Sequence, residues 1–353
     1  MEETKKIQMA FASIEEYVTK VIPDNTVTEV KGKDFMAWGK DNHYPDFLYS
    51  LYETNSTLQS IINGTVDYAM GNEVQGEKPN PKQDLEEFLS KVFGDYVIFG
   101  IAYVNVLRSL DGNKLTFYWM DARKMRSNED NTVFYYSDDW SVSYGRVKAI
   151  TLPKYTEDGT DGSSVIMIKN PLSRGCYAVP VWASAIKAVV TETEVTKFHL
   201  NEVINNFSAS AIINFNNGVP EDSQKDEIEK NISEKFAGSE NAGRFLLAFN
   251  DGKERAVTVE RLGGDDFDKR YDAVSKKSRQ DIFTAFRANP NLFGIPTENL
   301  GFSDEEYKSS FKLYNRTAVK PIQRKIVNTF AKLGWEITIE PFSIEDNEEE
   351  TVE

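Results

Sequence analysis

Residues 180–207 read PVWASAIKAVVTETEVTKFHLNEVINNF, and the spacing within them decides the architecture. Behind Pro180, the apolar residues Trp182, Ile186, Val189, Val190, Phe198, Val203, Ile204 and Phe207 recur near helical spacing. The pattern predicts one helix of about 26 residues, roughly 39 Å long. A small α/β unit follows it. Ser210 to Phe215 reads as a strand and Asn216-Asn217-Gly218 as a turn. Glu221 to Ala237 reads as a polar helix, and Arg244 to Phe249 with Ala256 to Leu262 as a strand pair around Asn250-Asp251-Gly252. Gly263-Gly264 closes the unit, and the chain returns to helix from Phe267 to Ala288.

Upstream, Ser13-Ile14-Glu15-Glu16 has capping-box form. Asn55-Ser56 caps a helix carrying Leu58, Ile61, Ile62, Val66 and Ala69, which Gly71 stops. Leu85, Phe88, Leu89 and Val92 mark another helix. From Gly94 the pattern turns to strand. Tyr96 to Leu107, Leu115 to Met120, Thr132 to Tyr136, Val142 to Thr151 and Val165 to Ile168 give a mostly antiparallel β region, with Asp111-Gly112 as a hairpin turn. Downstream of the second long helix, Asn289 to Pro296 is punctuated by Pro and Gly. A second capping box, Ser303-Asp304-Glu305-Glu306, opens a helix through Leu333 that Pro321 is expected to kink or divide. Trp335 to Ile339 is a last strand, and residues 345–353 hold six acids and no base. The fold class read from this order is α+β.

The composition excludes several functions. Forty-one Lys and Arg against 56 Asp and Glu leave a net charge of −15, the opposite of a protein that coats nucleic acid by neutralising phosphates. The single cysteine, Cys176, permits no internal disulfide and suits a reducing compartment. His43 and His199 are too few for a His-rich metal site, and both read as structural residues, His43 in a turn and His199 packed or interfacial on the long helix. No apolar run approaches the ~20 residues of a membrane span, and the start of the sequence lacks the apolar core of a signal peptide. No P-loop, G-x-G-x-x-G or G-x-S-x-G motif occurs. Gly263-Gly264-Asp265-Asp266 reads as a turn with acids at a helix start rather than a metal site. The expectation is a chain without catalytic residues, metal or cofactor.

One electrostatic feature stands out. Residues 269–332 hold thirteen Lys and Arg against six acids, a local net of +7 in an acidic chain. Lys308, Lys312, Arg316 and Lys320 follow one another at i, i+4. Such a row repels itself, so it calls for acids on another element or another chain, or for passing contact with a polyanion.

Two stretches carry a family resemblance. The first runs from Pro180-Val181-Trp182-Ala183-Ser184-Ala185-Ile186 through Asn205-Asn206-Phe207 to Ile212-Ile213-Asn214-Phe215-Asn216-Asn217-Gly218-Val219-Pro220. The second is Asp281-Ile282-Phe283-Thr284-Ala285-Phe286-Arg287-Ala288-Asn289-Pro290-Asn291-Leu292-Phe293-Gly294, followed by Phe311, Tyr314 and Val319-Lys320-Pro321-Ile322-Gln323. With the order of elements, and with Trp38-Gly39-Lys40-Asp41-Asn42-His43-Tyr44-Pro45 upstream, the chain resembles the portal proteins of tailed bacteriophages over about residues 35–335. Two departures are visible: Ala288-Asn289-Pro290-Asn291 replaces a longer aliphatic-Pro-Pro turn, and the C-terminal part is short.

The resemblance implies a non-enzymatic ring of about twelve identical subunits around a DNA channel. It implies a wing or body at 1–180, stem helices at 181–207 and 265–288, a clip at 208–264, a channel loop and helix at 289–333, and a final strand and acidic tail at 334–353. The implied partners are the terminase large subunit and then the head–tail adaptor, the major capsid and scaffolding proteins, and double-stranded DNA passing non-specifically; no membrane is implied. The implied location is the portal vertex of a virion, and the host cytoplasm during assembly. Lys308, Lys312, Asn291 and Asn299 are candidates to face the channel. Glu221, Lys225, Glu229, Asp251 and Lys253 are candidates for motor or adaptor docking, and Arg270, Lys277, Arg316, Trp182 and Phe198 for contacts between subunits. About twelve copies of a −15 subunit carry roughly −180, which disfavours tight adhesion to sliding DNA. The alternatives are another phage head–tail connector or adaptor, and a hydrolase working through surface carboxylates, for which no pair at workable spacing is singled out.

Overall fold

A computed structural model describes residues 22–112, 114–141, 147–159, 162–204, 211–215, 245–249, 258–261, 267–295 and 304–343. The chain divides into two compact units, 1–190 with 281–353, and 191–280.

The larger unit begins with an antiparallel pair, β1 (Val27–Glu29) and β2 (Met36–Trp38). Helix α1 (Tyr44–Thr54) leads directly into α2 (Ser56–Met70). Asn55 makes this junction. Its backbone N–H closes the last turn of α1 on the Leu51 carbonyl, and its side-chain oxygen accepts from Leu58 N at 2.7 Å. Along α2 the stripe of Leu58, Ile61, Ile62 and Ala69 is fully buried, each large side chain contributing about 1.5–3 kcal/mol relative to exposure. Gly71, at φ +71°, ends the helix where a Cβ would collide with the Glu340 carbonyl. That close approach lets β3 (Glu73–Gly76) pair antiparallel with β13 (Ile337–Glu340).

Helix α3 (Leu85–Phe99) differs from the expectation at its end. It passes through Gly94 and continues to Phe99, so Tyr96 to Phe99 are helical rather than extended. Gly100, in the left-handed conformation, is the true stop. The apolar run was ambiguous because α3 and the next strand are both buried on nearly all sides. From Gly100 the chain forms β4 (Ile101–Arg108), flanked by β5 (Leu115–Met120) and β9 (Ser163–Lys169) in an antiparallel sheet. A second antiparallel sheet holds β6 (Met125–Ser127), β7 (Val133–Tyr136) and β8 (Ile150–Pro153). Of the strand expected over Val142 to Thr151, Ile150 and Thr151 fall in β8 and residues 147–149 do not; residues 142–146 lie outside the described set.

The first long helix, α4 (Ile186–Ile204), starts later than expected because Ala183–Ala185 form a 3-10 turn. Residues 205–207 lie outside the described residues. In the smaller unit, β10 (Ala211–Phe215) is the central strand. β11 (Phe245–Phe249) pairs with it in parallel and β12 (Thr258–Arg261) antiparallel. The expected strand pair of β11 and β12 is therefore corrected: both border β10 rather than each other. The polar helix expected at Glu221 to Ala237 lies outside the described residues. Helix α5 (Phe267–Phe286) follows.

The larger unit resumes with a 3-10 turn at Pro290–Phe293, then α6 (Asp304–Tyr314), a π turn at Asn315–Val319 and α7 (Lys320–Ala331). Pro321 does not break the helical run. It lacks an N–H, and the wider π turn just before it takes up the interrupted ladder. Rings from distant segments close this unit. Phe117 stacks on Trp335 at 4.5 Å, and Phe330 meets Phe88, Phe117 and Trp335 edge-on.

Candidate functional site

The cationic helix pair is the first candidate. Phe311, Tyr314, Val319, Ile326 and Phe330 face inward. Lys308, Lys312, Arg316, Lys320, Arg324 and Lys325 are all exposed. An i, i+4 row drifts about 40° per step around an α-helix. The π turn winds less per residue and brings Lys320 back toward the line of Lys308 and Lys312. None of these four forms an ion pair among the described residues, so the acids that the row called for are not supplied there. Glu305 and Glu306 sit in the first turn of α6, where the helix dipole favours them.

The punctuated segment after α5 is anchored rather than loose. Asn289 caps the 3-10 turn by accepting from Asn291 N at 3.1 Å, and its amide donates to Ser310 Oγ at 2.8 Å. The Tyr68 hydroxyl donates to the Leu292 carbonyl at 2.8 Å. Phe293 lies among Tyr68, Phe283 and Tyr314, and it approaches Gly64 so closely that a Cβ there would meet its ring at 2.8 Å. The Tyr314 hydroxyl pairs with Thr65 Oγ1 at 2.7 Å, and burial pushes it up to about 12. Asn291 is half-buried beside this lock, and Asn299 lies outside the described residues.

The other expected positions divide clearly. Glu221, Lys225, Glu229, Asp251 and Lys253 lie outside the described residues. Arg270 and Phe198 fall on α5 and α4, with their side chains outside the described set. Lys277 and Arg316 are exposed. Trp182 is a correction. It has no exposed surface and donates its indole N–H to the Val97 carbonyl at 3.2 Å, so it belongs to the chain's own core and offers no surface for the contact expected of it. His199 is exposed rather than packed within the chain.

Sequence reading missed Arg126, whose side chain is fully buried. It donates to Asn42 Oδ1 and the Asn42 carbonyl, each at 2.5 Å, and to the Arg123 and Met125 carbonyls at 2.8 and 2.7 Å. Its guanidinium lies 4.8 Å from the Trp140 ring. Asn42 also accepts from Trp38 N, and Trp38 stacks on Tyr177 at 4.4 Å. The Trp38 to Pro45 motif is therefore a clasp on the body. Arg126 is one of three cations in the stretch Arg123-Lys124-Met125-Arg126, and nothing in the sequence marks it as the buried one. Asp95 is similar: it is buried and accepts from Trp119 Nε1 at 2.9 Å and Ala122 N at 3.2 Å. Burial, aided by nearby Asp121, holds its carboxyl well above the usual range.

The larger unit also has an open groove of about 880 Å³. Val97, Leu172, Val179, Val181, Phe286 and Ile322 give it an apolar lining, and Arg287, Arg324, Lys325 and Lys332 stand along it. Among the described residues there is no group of three or more His, Cys, Asp or Glu placed to hold a metal, and no helix long and apolar enough to cross a membrane.

Residues 72–345 match the phage portal protein family. The chain belongs to that family. Relatives include an uncharacterized protein of Rickettsia bellii (strain RML369-C), 23% identical over 281 residues, covering 78% of this chain and 66% of the relative. One of Rickettsia felis (strain ATCC VR-1525 / URRWXCal2) is 24% identical over 261 residues, covering 72% and 62%. The chain thus spans about two thirds of the length of these relatives. Similar solved folds include a chain of the virion of the native gene transfer agent particle, with TM-score 0.56, 17% identity and coverage of 92% and 88%. A chain of the native particle's neck, computed with C12 symmetry, gives TM-score 0.54 at 16% identity, covering 94% and 89%. The HK97-family phage portal protein of Corynebacterium diphtheriae gives 0.52 at 13% identity, covering 83% and 94%. The α+β fold is that of the portal proteins.

Proposed function

We propose that this chain is the portal subunit of a tailed-phage-like particle. About twelve copies form a ring at one capsid vertex, and double-stranded DNA enters and leaves through it. The family match over residues 72–345 carries this reading. The order of body, long helix, three-stranded unit, long helix and body supports it. In this reading α4 and α5 are the stem, residues 208–264 are the clip that meets the terminase motor and later the adaptor, and the β-rich body meets capsid and scaffold. Its work is mechanical and requires no cofactor.

The DNA contact in this reading is made in passing. An acidic subunit repels the phosphate backbone overall, and a few lysines such as Lys308 and Lys312 guide the duplex without holding it. The test is DNA packaging into heads, read as nuclease-protected DNA. Lys308→Ala with Lys312→Ala is expected to leave rings intact and reduce protected DNA. Normal packaging by that variant contradicts the assignment of these lysines. Normal packaging by heads lacking the chain altogether contradicts the portal reading.

A further inference from the structure

The groove of about 880 Å³ in the larger unit is apolar inside and cationic along its edge. Leu172, Val179 and Val181 expose 86%, 45% and 53% of their surface there. Large aliphatic side chains gathered at a concavity mark a surface that another element covers. Arg287, Arg324, Lys325 and Lys332 are exposed, and none forms an ion pair among the described residues. Arg287 stands at φ +56°, just after α5, where a helix exit favours glycine.

The occupant must bury an apolar stripe and bring acids to the edge. Residues 7–21, IQMAFASIEEYVTKV, have that form. Behind the Ser13 capping box, Ile14, Val18 and Val21 follow one another at spacings of four and three, the pattern of anchors for a helix lying in a groove, and Ile7 and Phe11 precede it. The stripe from Ile14 to Val21 spans about 10 Å in helical form. Glu15 and Glu16 lie between the anchors. The acidic stretch 344–353 matches the charge but offers only Ile344 and Val352 to an apolar lining. DNA matches the charge and leaves the lining exposed.

We propose that the groove seats residues 7–21 of the adjacent copy in the ring, so that each subunit hands an amphipathic arm to its neighbour. The proposal rests on the ring reading above. A head-to-tail ring needs a donor and an acceptor surface on the same chain, and the arm and the groove are such a pair. Apolar burial holds the arm, and Glu15 and Glu16 facing the cationic edge fix its direction.

The test uses the full chain with Cys176→Ala. Two differently tagged forms are co-assembled, one carrying Ile14→Cys and the other Leu172→Cys, and a short thiol–thiol cross-linker is applied to purified particles checked by imaging. The expected result is a covalent link between the two tags within intact rings. Glu15→Lys with Glu16→Lys is expected to lower its yield about fivefold, and adding Arg324→Glu with Lys325→Glu on the acceptor to restore it. Intact rings with no cross-link overturn the proposal and leave the ring reading standing. A link found only within one chain, in a doubly substituted single-tag form, also overturns it and makes the groove the seat of the chain's own arm. Absence of rings from every form, the unsubstituted chain included, overturns the ring reading and the proposal with it.

Discussion

The two units differ in what holds their described parts together. The larger one is locked by aromatic packing across distant segments: Phe293 fills the space left by Gly64, and Trp335 stacks on Phe117. In residues 191–280 the buried side chains among those described are Glu192, Val195 and Ser278. There α4 and α5 are tied by an ion pair, Arg279 Nε to Glu192 Oε1 at 3.3 Å, while Leu200 and Val274 are 57% and 42% exposed. The body carries its own core. Helices α4 and α5 keep apolar surface exposed within residues 191–280, as the proposed ring, in which neighbours cover them, expects.

That contrast can be broken most severely in the body. Phe293→Ala is expected to destabilise the chain by about 2–4 kcal/mol, because a half-buried ring packed against Gly64, Tyr68, Phe283 and Tyr314 is removed. Denaturant unfolding followed by tryptophan fluorescence reads it, and an unchanged midpoint contradicts the lock. Gly64→Val is expected to cost somewhat less, about 1–3 kcal/mol by overpacking, and pairing it with Phe293→Ala recovers part of both losses in a double-mutant cycle.

Changes in the smaller unit are expected to act elsewhere. Arg279→Ala weakens a partly exposed pair and costs about 1 kcal/mol or less. Faster hydrogen exchange in α4 and α5, with the body's exchange unchanged, is the expected readout. Leu200→Ser with Val274→Ser is expected to stay within about 0.5 kcal/mol for the monomer while weakening ring assembly in a sedimentation assay. Equal assembly contradicts the covering of this surface by neighbours.

The smallest effect concerns Asp95. Its carboxyl is raised in the folded chain, mainly by burial, so the folded state binds the proton more tightly than the unfolded state. Stability therefore falls as pH rises from the unfolded carboxylate range toward the raised folded value, and the penalty is complete above it. Asp95→Asn keeps an acceptor for Trp119 and Ala122 without the charge. It is expected to raise the melting temperature at neutral pH, and this gain is expected to shrink near pH 4. An equal gain at both pH values contradicts the assigned cause.

Much of this fold was legible in the sequence where local signals agreed. Asn55-Ser56 and Gly71 bracket α2 as expected, and the long helices either side of β10 followed from periodicity. The failures share a physical cause. Gly94 reads as a break, yet α3 passes through it because buried neighbours outweigh one glycine's propensity. The pairing of β11 and β12 with β10 was hidden because strand signals do not encode partners. The site was less legible still. Periodicity placed Trp182 on a helix but not on which side of it the neighbour lay, and Arg126 acts through carbonyls contributed by separate segments.

The most direct test of the account is the mass and shape of the purified full chain, by light scattering followed by negative-stain imaging. A closed ring of about twelve subunits, ~480 kDa, with a central hole is expected. A monomer or dimer that persists across concentration and salt, and in the presence of the capsid and scaffolding proteins, would contradict it.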